Sequence, residues 1–235
     1  GVVSLIDTGG ILSYGEGEYN YKISKNKLIP YLKSNGIRKI DNLILTHGDF
    51  DHMGEAIYFV SNFKVDKVVF NCGVSNKLEK DLIYVLKEKN ISYDSCVDKL
   101  DVGKYKFKFL NTGIYDNEND SSSVIYFKYN EYKFLFMADA GKNRENDIIN
   151  KYKIRNIDFL KIGHHGSNTS SDSSFIKVIN PKYSIISVGA NNRFGHPREE
   201  VLDILDKRKI YRTDMDGSIE IKLSKNGYKI KTFKP

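Results

Sequence analysis

Histidine and cysteine are both scarce in this chain, with five of the former and two of the latter in 235 residues. Cys72 and Cys96 lack the spacing of a cysteine metal site and allow one bridge at most. Free thiols in the core are the expectation, so they give no reading of compartment. No apolar run approaches the ~20 residues that a membrane-spanning helix requires, which predicts that the chain as given is soluble. No charged, then apolar, then small-residue leader opens it, and Gly1 is not a natural initiator, so a piece of a longer chain is expected. Repeats, low-complexity blocks and Pro/Ser-rich linkers are missing as well. Residues 1–235 therefore read as a single domain.

What is present suffices for a substantial core, since 40% of the residues are hydrophobic. Short apolar runs alternate with amphipathic stretches, which predicts an α/β layering. Strands are expected at 2–6, 42–46, 67–70, 106–110, 123–128, 133–137, 159–162, 183–188, 210–212, 218–223 and 229–233. Helices are expected at 27–34, 53–62, 77–89, 144–152, 173–178 and 199–207, with Pro30 and Pro197 near helix starts, where the missing N–H costs little. Asp214 to Gly217 reads as a tight hairpin turn with glycine at positive φ. The net charge of +7 favours encounter with a polyanion. Lysine is spread along the chain rather than massed, so a solvated surface explains the charge nearly as well.

Four of the five histidines sit in two clusters. Thr46-His47-Gly48-Asp49-Phe50-Asp51-His52 follows the apolar Leu43-Ile44-Leu45, and Gly163-His164-His165-Gly166-Ser167 follows another apolar run. Neutral imidazole and carboxylate suit borderline and hard divalent cations. Crowded at a strand end without a partner, the same groups would lose solvation and repel one another. Asp7 ends the first apolar run, and Asp139 follows Phe134 to Ala138. Metal-type residues at four separate strand ends point to a metallohydrolase, because loops at a sheet edge are where a rigid scaffold gathers such groups.

These residues resemble the metallo-β-lactamase superfamily, which carries a strand-end Asp, an HxHxDH loop, a later His, a later Asp and a final His. Asp7 matches the first element, and His47-x-Asp49-x-Asp51-His52 the second, with Asp49 in place of the second His. Asp139 matches the fourth element and the His164-His165 pair the fifth. The resemblance implies a four-layer αββα sandwich of two mixed sheets flanked by helices, with its opening strand missing before Gly1. Finer features are similar to the hydrolase-like C-terminal domain of ComEC-type competence proteins, which import DNA. They include Asp120-Ser121-Ser122-Ser123-Val124, Phe194-Gly195-His196-Pro197 and Ile210-Tyr211-Arg212-Thr213-Asp214. Two departures stand out. No histidine lies between His52 and His164, where Asp120 or Asn119 takes the vacant place, and Ala138 replaces the usual Gly, a small change for ligation.

The resemblance implies two divalent ions held by His47, Asp49, Asp51, His52, Asp139 and His165, with one ion weaker for want of the missing histidine. Mn²⁺ or Zn²⁺ leads and Mg²⁺ follows; Asp49 hardens the site and favours Mn²⁺ or Mg²⁺ more than an all-histidine set would. No small organic cofactor is expected. His47 and Asp49, two apart, can serve one position, Asp51 and His52 the other, with Asp139 bridging. Both imidazoles of the vicinal pair cannot easily face one ion, so His165 is read as the ligand and His164 as a phosphate contact or proton donor. Asp51, His164 and His196 are the catalytic candidates; His196 also reads as a helix-entry residue bonded to backbone. Asp7, and Asp120 with it, are expected to orient ligands rather than bind metal. Ser167, Lys161, Arg193 and Arg198 are candidate phosphate contacts, although Ser167 can equally cap a turn and the cations can form ordinary ion pairs.

A metal-dependent nuclease acting on single- or double-stranded DNA during uptake is the leading reading. Its partner would be the transmembrane channel of the same parent protein, and the domain would lie on the outer face of the plasma membrane. The alternatives are a small phosphodiester or phosphocholine-type esterase, and a non-catalytic DNA-guiding module with a degenerate site.

Overall fold

The structure of the protein, a computed structural model, describes residues 1–11, 21–73, 75–205 and 209–234. Its contacts define two units, Gly1–Lys104 with Ile114–Ser123, and Tyr105–Gly113 with Val124–Pro235.

The first unit is built on β1 (Ser4–Ile6), β2 (Lys39–Ile44), β3 (Lys64–Phe70) and β4 (Ser92–Ser95), paired in that order and parallel throughout. The returns run through α1 (Ile29–Ser34, continuing a π-helical turn at Ser24–Leu28), α2 (Phe50–Met53), α3 (Ala56–Asn62) and α4 (Lys77–Glu88), and β5 (Lys99–Val102) follows. A mixed sheet was expected here; helical crossovers between successive strands make it parallel instead. Leu43 lies in register between Leu5 and Val68. Ile40, Leu43, Phe59, Val68 and Leu82 are wholly buried. Burial on both faces explains why β2 and β3 end in continuous apolar runs rather than alternation.

The helix expected at 53–62 is two helices, interrupted at Gly54 and Glu55. The wholly buried Glu55 carboxylate accepts the Ile23 N–H at 3.1 Å and the Ser24 N–H, pinning the turn before α1. Strands β4 and β5 were not expected. The former is a largely exposed edge strand, Ser-Tyr-Asp-Ser, with no apolar pattern to betray it. Its position corrects the reading of the cysteines: Phe70 pairs with Ser95, so Cys72 and Cys96 leave neighbouring strand ends and form a disulfide.

The second unit holds β6 (Tyr105–Phe109), β7 (Ile125–Tyr129), β8 (Tyr132–Phe136), β9 (Phe159–Lys161), β10 (Tyr183–Ile186) and β11 (Ile210–Arg212), adjacent in chain order. The β6–β7 and β7–β8 pairs are antiparallel, while β8 through β11 are parallel, so this sheet is mixed as expected. Its helices are α5 (Lys142–Lys151), α6 (Ser173–Ile179), α7 (Glu199–Ile204) and α8 (Thr213–Asp216), and β12 (Ser218–Ser224) pairs with β13 (Gly227–Phe233) as a separate hairpin. The expected helix 199–207 stops earlier, and its positions 206 and 207 lie outside the described residues. Where a hairpin turn was expected at 214–217 the chain forms α8, stopped by Gly217 at φ 67°. A Cβ there would lie 2.0 Å from the Phe233 carbonyl oxygen.

Leu135, Leu160, Ile148, Phe175, Ile179 and Ile186 form the core of this unit. Among sheet neighbours, Phe127, Phe134, Phe159 and Tyr183 stack with centroids 4.5, 4.7 and 5.4 Å apart, and Tyr228 meets Phe159 and Tyr183 edge-on. Among the described residues, no helix is long and apolar enough to cross a membrane.

Candidate metal centre

In the first unit, the loop between β2 and α2 carries His47, Gly48 and Asp49, and α2 itself carries Asp51 and His52. Asp7, just beyond β1 at φ 61°, fixes this loop from the neighbouring strand. Its Oδ1 accepts the Thr46 N–H at 2.8 Å, and its Oδ2 accepts both the Thr46 hydroxyl and His52 Nδ1 at 2.8 Å. A carboxylate only accepts, so the proton of His52 sits on Nδ1 and Nε2 is left with its lone pair.

The same reasoning settles His47. Thr46 spends its one hydroxyl proton on Asp7, so toward His47 Nδ1, 3.2 Å away, it can only accept. His47 therefore also carries its proton on Nδ1. Its Nε2 is buried, has no hydrogen-bond partner among the described residues, and lies 3.5 Å from Asp49 Oδ2. In the neutral imidazole this buried nitrogen and the carboxylate oxygen are two acceptors opposed, an arrangement that a shared proton or a bound cation relieves. The donor set, imidazole nitrogen with carboxylate oxygen, fits a divalent metal.

The backbone between His47 and Asp49 is held on both sides. The Gly48 N–H donates to Glu118 at 2.5 Å, and its carbonyl accepts Asn76 Nδ2 at 2.8 Å. A Cβ on Gly48 would lie 2.0 Å from that Nδ2, so a larger residue would displace the Asn76 side chain. Asn76 is also the N-cap of α4 in a reciprocal capping box with Glu79. The Asn76-x-x-Glu79 spacing announces such a cap, and was the available signal for this missed residue. Glu118 and Thr46 were missed with it. Asp120 is buried and bonds Asn117 Nδ2 at 3.0 Å, while Ser123 donates its N–H to the Thr46 carbonyl at 2.7 Å, so this segment braces the loop from below.

In the second unit, Asp139 follows β8 and is 3% exposed. The residue before it, Ala138, has φ 49°, a left-handed conformation that glycine adopts without strain. Alanine at this position therefore bears on the backbone conformation. The carbonyl of Ala138 accepts the His164 N–H at 2.9 Å and ties the two loops together. His164 and His165 both have positive φ, 45° and 53°. The Nε2 atoms of His164 and His165 lie 3.8 and 3.5 Å from the same Asp139 Oδ2. His165 Nδ1 is 2.7 Å from the Ser187 carbonyl, an acceptor only, so again Nδ1 holds the proton and Nε2 the lone pair. His164 Nδ1 is 3.1 Å from the Thr169 hydroxyl.

The remaining candidates of this unit line the same loops or stand apart. The Ser167 hydroxyl bonds Thr169 Oγ1 at 3.0 Å and accepts the Thr169 N–H, as a turn cap does. His196 lies 6.0 Å, centroid to centroid, from His164, and both backbone groups of His196 are bonded by Asn192. Burial, with His164 and Arg198 nearby, holds the His196 imidazole below its ordinary pKa. Arg198 precedes α7 and donates its N–H to the Gly166 carbonyl at 2.9 Å. Arg193 rests its guanidinium 4.8 Å from the Phe194 ring centroid. Lys161 ends β9, and Arg212 pairs with Asp214 at 2.6 Å.

A model of the metallo-beta-lactamase superfamily matches residues 1–190. Similar proteins include ComE operon protein 3 of Bacillus subtilis, 34% identical over 92% of this chain and 29% of that protein. Competence protein ComA of Neisseria gonorrhoeae is 28% identical over 96% of this chain and 30% of its own length. The chain thus spans less than a third of either relative. Among solved structures, the metallo-beta-lactamase fold protein YhfI from Bacillus subtilis aligns with a TM-score of 0.50 at 12% identity, over 79% of this chain and 78% of that one. The family match and the shared fold together establish that the chain belongs to the metallo-beta-lactamase superfamily.

Proposed function

We propose that this chain is the metal-dependent nuclease domain of a DNA-uptake protein and hydrolyses phosphodiester bonds of DNA. The observation that carries the reading is that His47, His52 and His165 each commit Nδ1 to an oxygen, which makes Nε2 the nitrogen a metal would take. We read His47, Asp49, Asp51, His52, Asp139 and His165 as the residues that would hold two divalent ions. Asp49 in place of an imidazole makes the set harder and favours Mn²⁺ relative to an all-histidine site. Bound ions would supply Lewis-acid activation of water and neutralise charge developing on the phosphoryl oxygens.

The chain's own residues then divide the remaining work. Asp7 and Ser187 hold imidazoles in the ligating tautomer. His164, steadied by Thr169, contacts the phosphate, and His196, kept neutral by burial, is placed to take or pass a proton. Arg193 and Arg198 contact the nucleic-acid backbone, in keeping with the net charge of +7. The competence relatives support DNA as substrate and a membrane parent with a channel region as partner. The Cys72–Cys96 bridge supports an outer-face location, since disulfides persist in oxidising compartments.

Cleavage of labelled single- and double-stranded oligonucleotides with Mn²⁺, Mg²⁺ and Zn²⁺, beside a small chromogenic phosphodiester, tests the reading. Metal-dependent DNA cleavage is expected, with binding that weakens by a log–log salt slope of about −0.7 to −0.9 per phosphate contacted. Turnover of the small ester alone would replace the nuclease by an esterase. Salt-sensitive DNA binding without cleavage under any metal would replace it by a guiding module.

A further inference from the structure

We propose that Phe194 is a stacking seat for an unpaired nucleobase beside the scissile phosphate, which directs the chain to single-stranded DNA. The proposal takes its substrate class from the nuclease reading and adds the subsite. Phe194 is 56% exposed, which leaves ring surface open to a ligand. Its ring lies 16° from the plane of the His196 imidazole with centroids 5.9 Å apart, and His196 is in turn 6.0 Å from His164. The run His164, His196, Phe194 therefore leads outward from the turn that carries the vicinal histidines.

The seat is rigid. Asn192 accepts the His196 N–H at 2.9 Å and donates to the His196 carbonyl at 2.7 Å, closing the short loop that presents Phe194. Gly195, at φ 66°, makes the reversal between them. Near-parallel rings this far apart are displaced sideways, so they adjoin rather than cover each other. The Arg193 guanidinium sits 4.8 Å from the phenyl centroid. A cation–π contact at an exposed site is weaker than a base–aromatic stack, so a base displaces the guanidinium or is sandwiched by it. Either way Arg193 stays within reach of the adjoining phosphate. Every base has a π-face, so the seat is indifferent to sequence, but bases in a duplex are already stacked and must be unstacked to use it.

Fluorescence anisotropy and cleavage with wild type, Phe194→Leu and Phe194→Tyr test this, using an intact single strand, strands carrying one abasic site at successive positions, and a duplex. Phe194→Leu should weaken single-strand binding about tenfold, Phe194→Tyr should restore it, and duplex affinity should change little. One abasic position should reproduce the loss in wild type and add nothing in Phe194→Leu. Equal single-strand binding by wild type and Phe194→Leu, or equal losses on strand and duplex, would overturn the proposal. If wild type binds single strands through Phe194 but cleaves none with any metal, the seat stands and the nuclease reading falls. If DNA is cleaved and Phe194→Leu matches wild type, the reverse holds.

Discussion

His52 donates its Nδ1 proton to the Asp7 carboxylate across 2.8 Å, and that one bond decides which nitrogen of His52 is offered to a metal. Asp7→Asn keeps the size and tolerates the left-handed backbone, but its amide can either give or take a proton. The tautomer is then no longer fixed. Metal affinity should fall about 10- to 100-fold while the circular dichroism spectrum is unchanged. Calorimetric titration with Zn²⁺ or Mn²⁺ measures it, and an affinity equal to wild type would show that Asp7 does not act through His52.

Asn76 serves the cap of α4 and the clamp on Gly48 with different atoms, Oδ1 and Nδ2. Asn76→Ala loses both and should cost about 1–2 kcal/mol in urea unfolding. Asn76→Asp keeps a good N-cap and loses the donor to Gly48. It should recover part of that stability, yet bind metal more weakly than wild type, which separates the two roles.

Glu145 is wholly buried in α5, accepting the Ser171 and Asp172 N–H groups at 2.7 and 2.8 Å. Burial outweighs these bonds and pushes its carboxyl up to about 7. The folded state therefore holds this proton more tightly than the unfolded chain does. The Glu145 contribution to stability is complete below the ordinary carboxyl range and is lost as pH rises through about 7, an effect of about 3 kcal/mol for the full shift. Glu145→Gln cannot ionise, so unfolding free energies at pH 5 and pH 8 should differ less in the variant by about that amount. An equal pH dependence in both proteins would rule the contribution out.

The Cys72–Cys96 bridge spans a sequence separation of 24. Closing a loop of that size should stabilise the protein by about 3 kcal/mol, so Cys72→Ser with Cys96→Ser should lower the unfolding midpoint accordingly. Mass spectrometry without reductant should find no free thiol in wild type, and two free thiols would contradict the bridge.

The strands legible in the sequence were those with an internal pattern. Buried parallel strands such as β2 announce themselves as apolar runs, and β7 and β8 as aromatic ones. Strand β4 is polar and exposed, and with it the disulfide was hidden, because only pairing with β3 brings Cys96 to Cys72. The aromatic stack through Phe127, Phe134, Phe159 and Tyr183 was invisible for a similar reason, since its members lie on four strands and meet only through strand register. At the site, ligand types and strand-end positions were legible from His47 to His52 and at Asp139. The left-handed turn at His164 and His165 was not, because nothing in two adjacent histidines signals positive φ.

The proposed nuclease activity depends on Asp51 and Asp139 as metal ligands. The direct test is single-strand cleavage against added Mn²⁺ for wild type, Asp51→Ala and Asp139→Ala, with bound metal measured on the same samples. Wild type should cleave, lose activity to chelator and regain it with metal. Each variant should stay folded, hold less metal and lose at least 100-fold in rate. Cleavage by either variant at the wild-type rate, or cleavage by wild type undiminished after metal removal, would contradict the account.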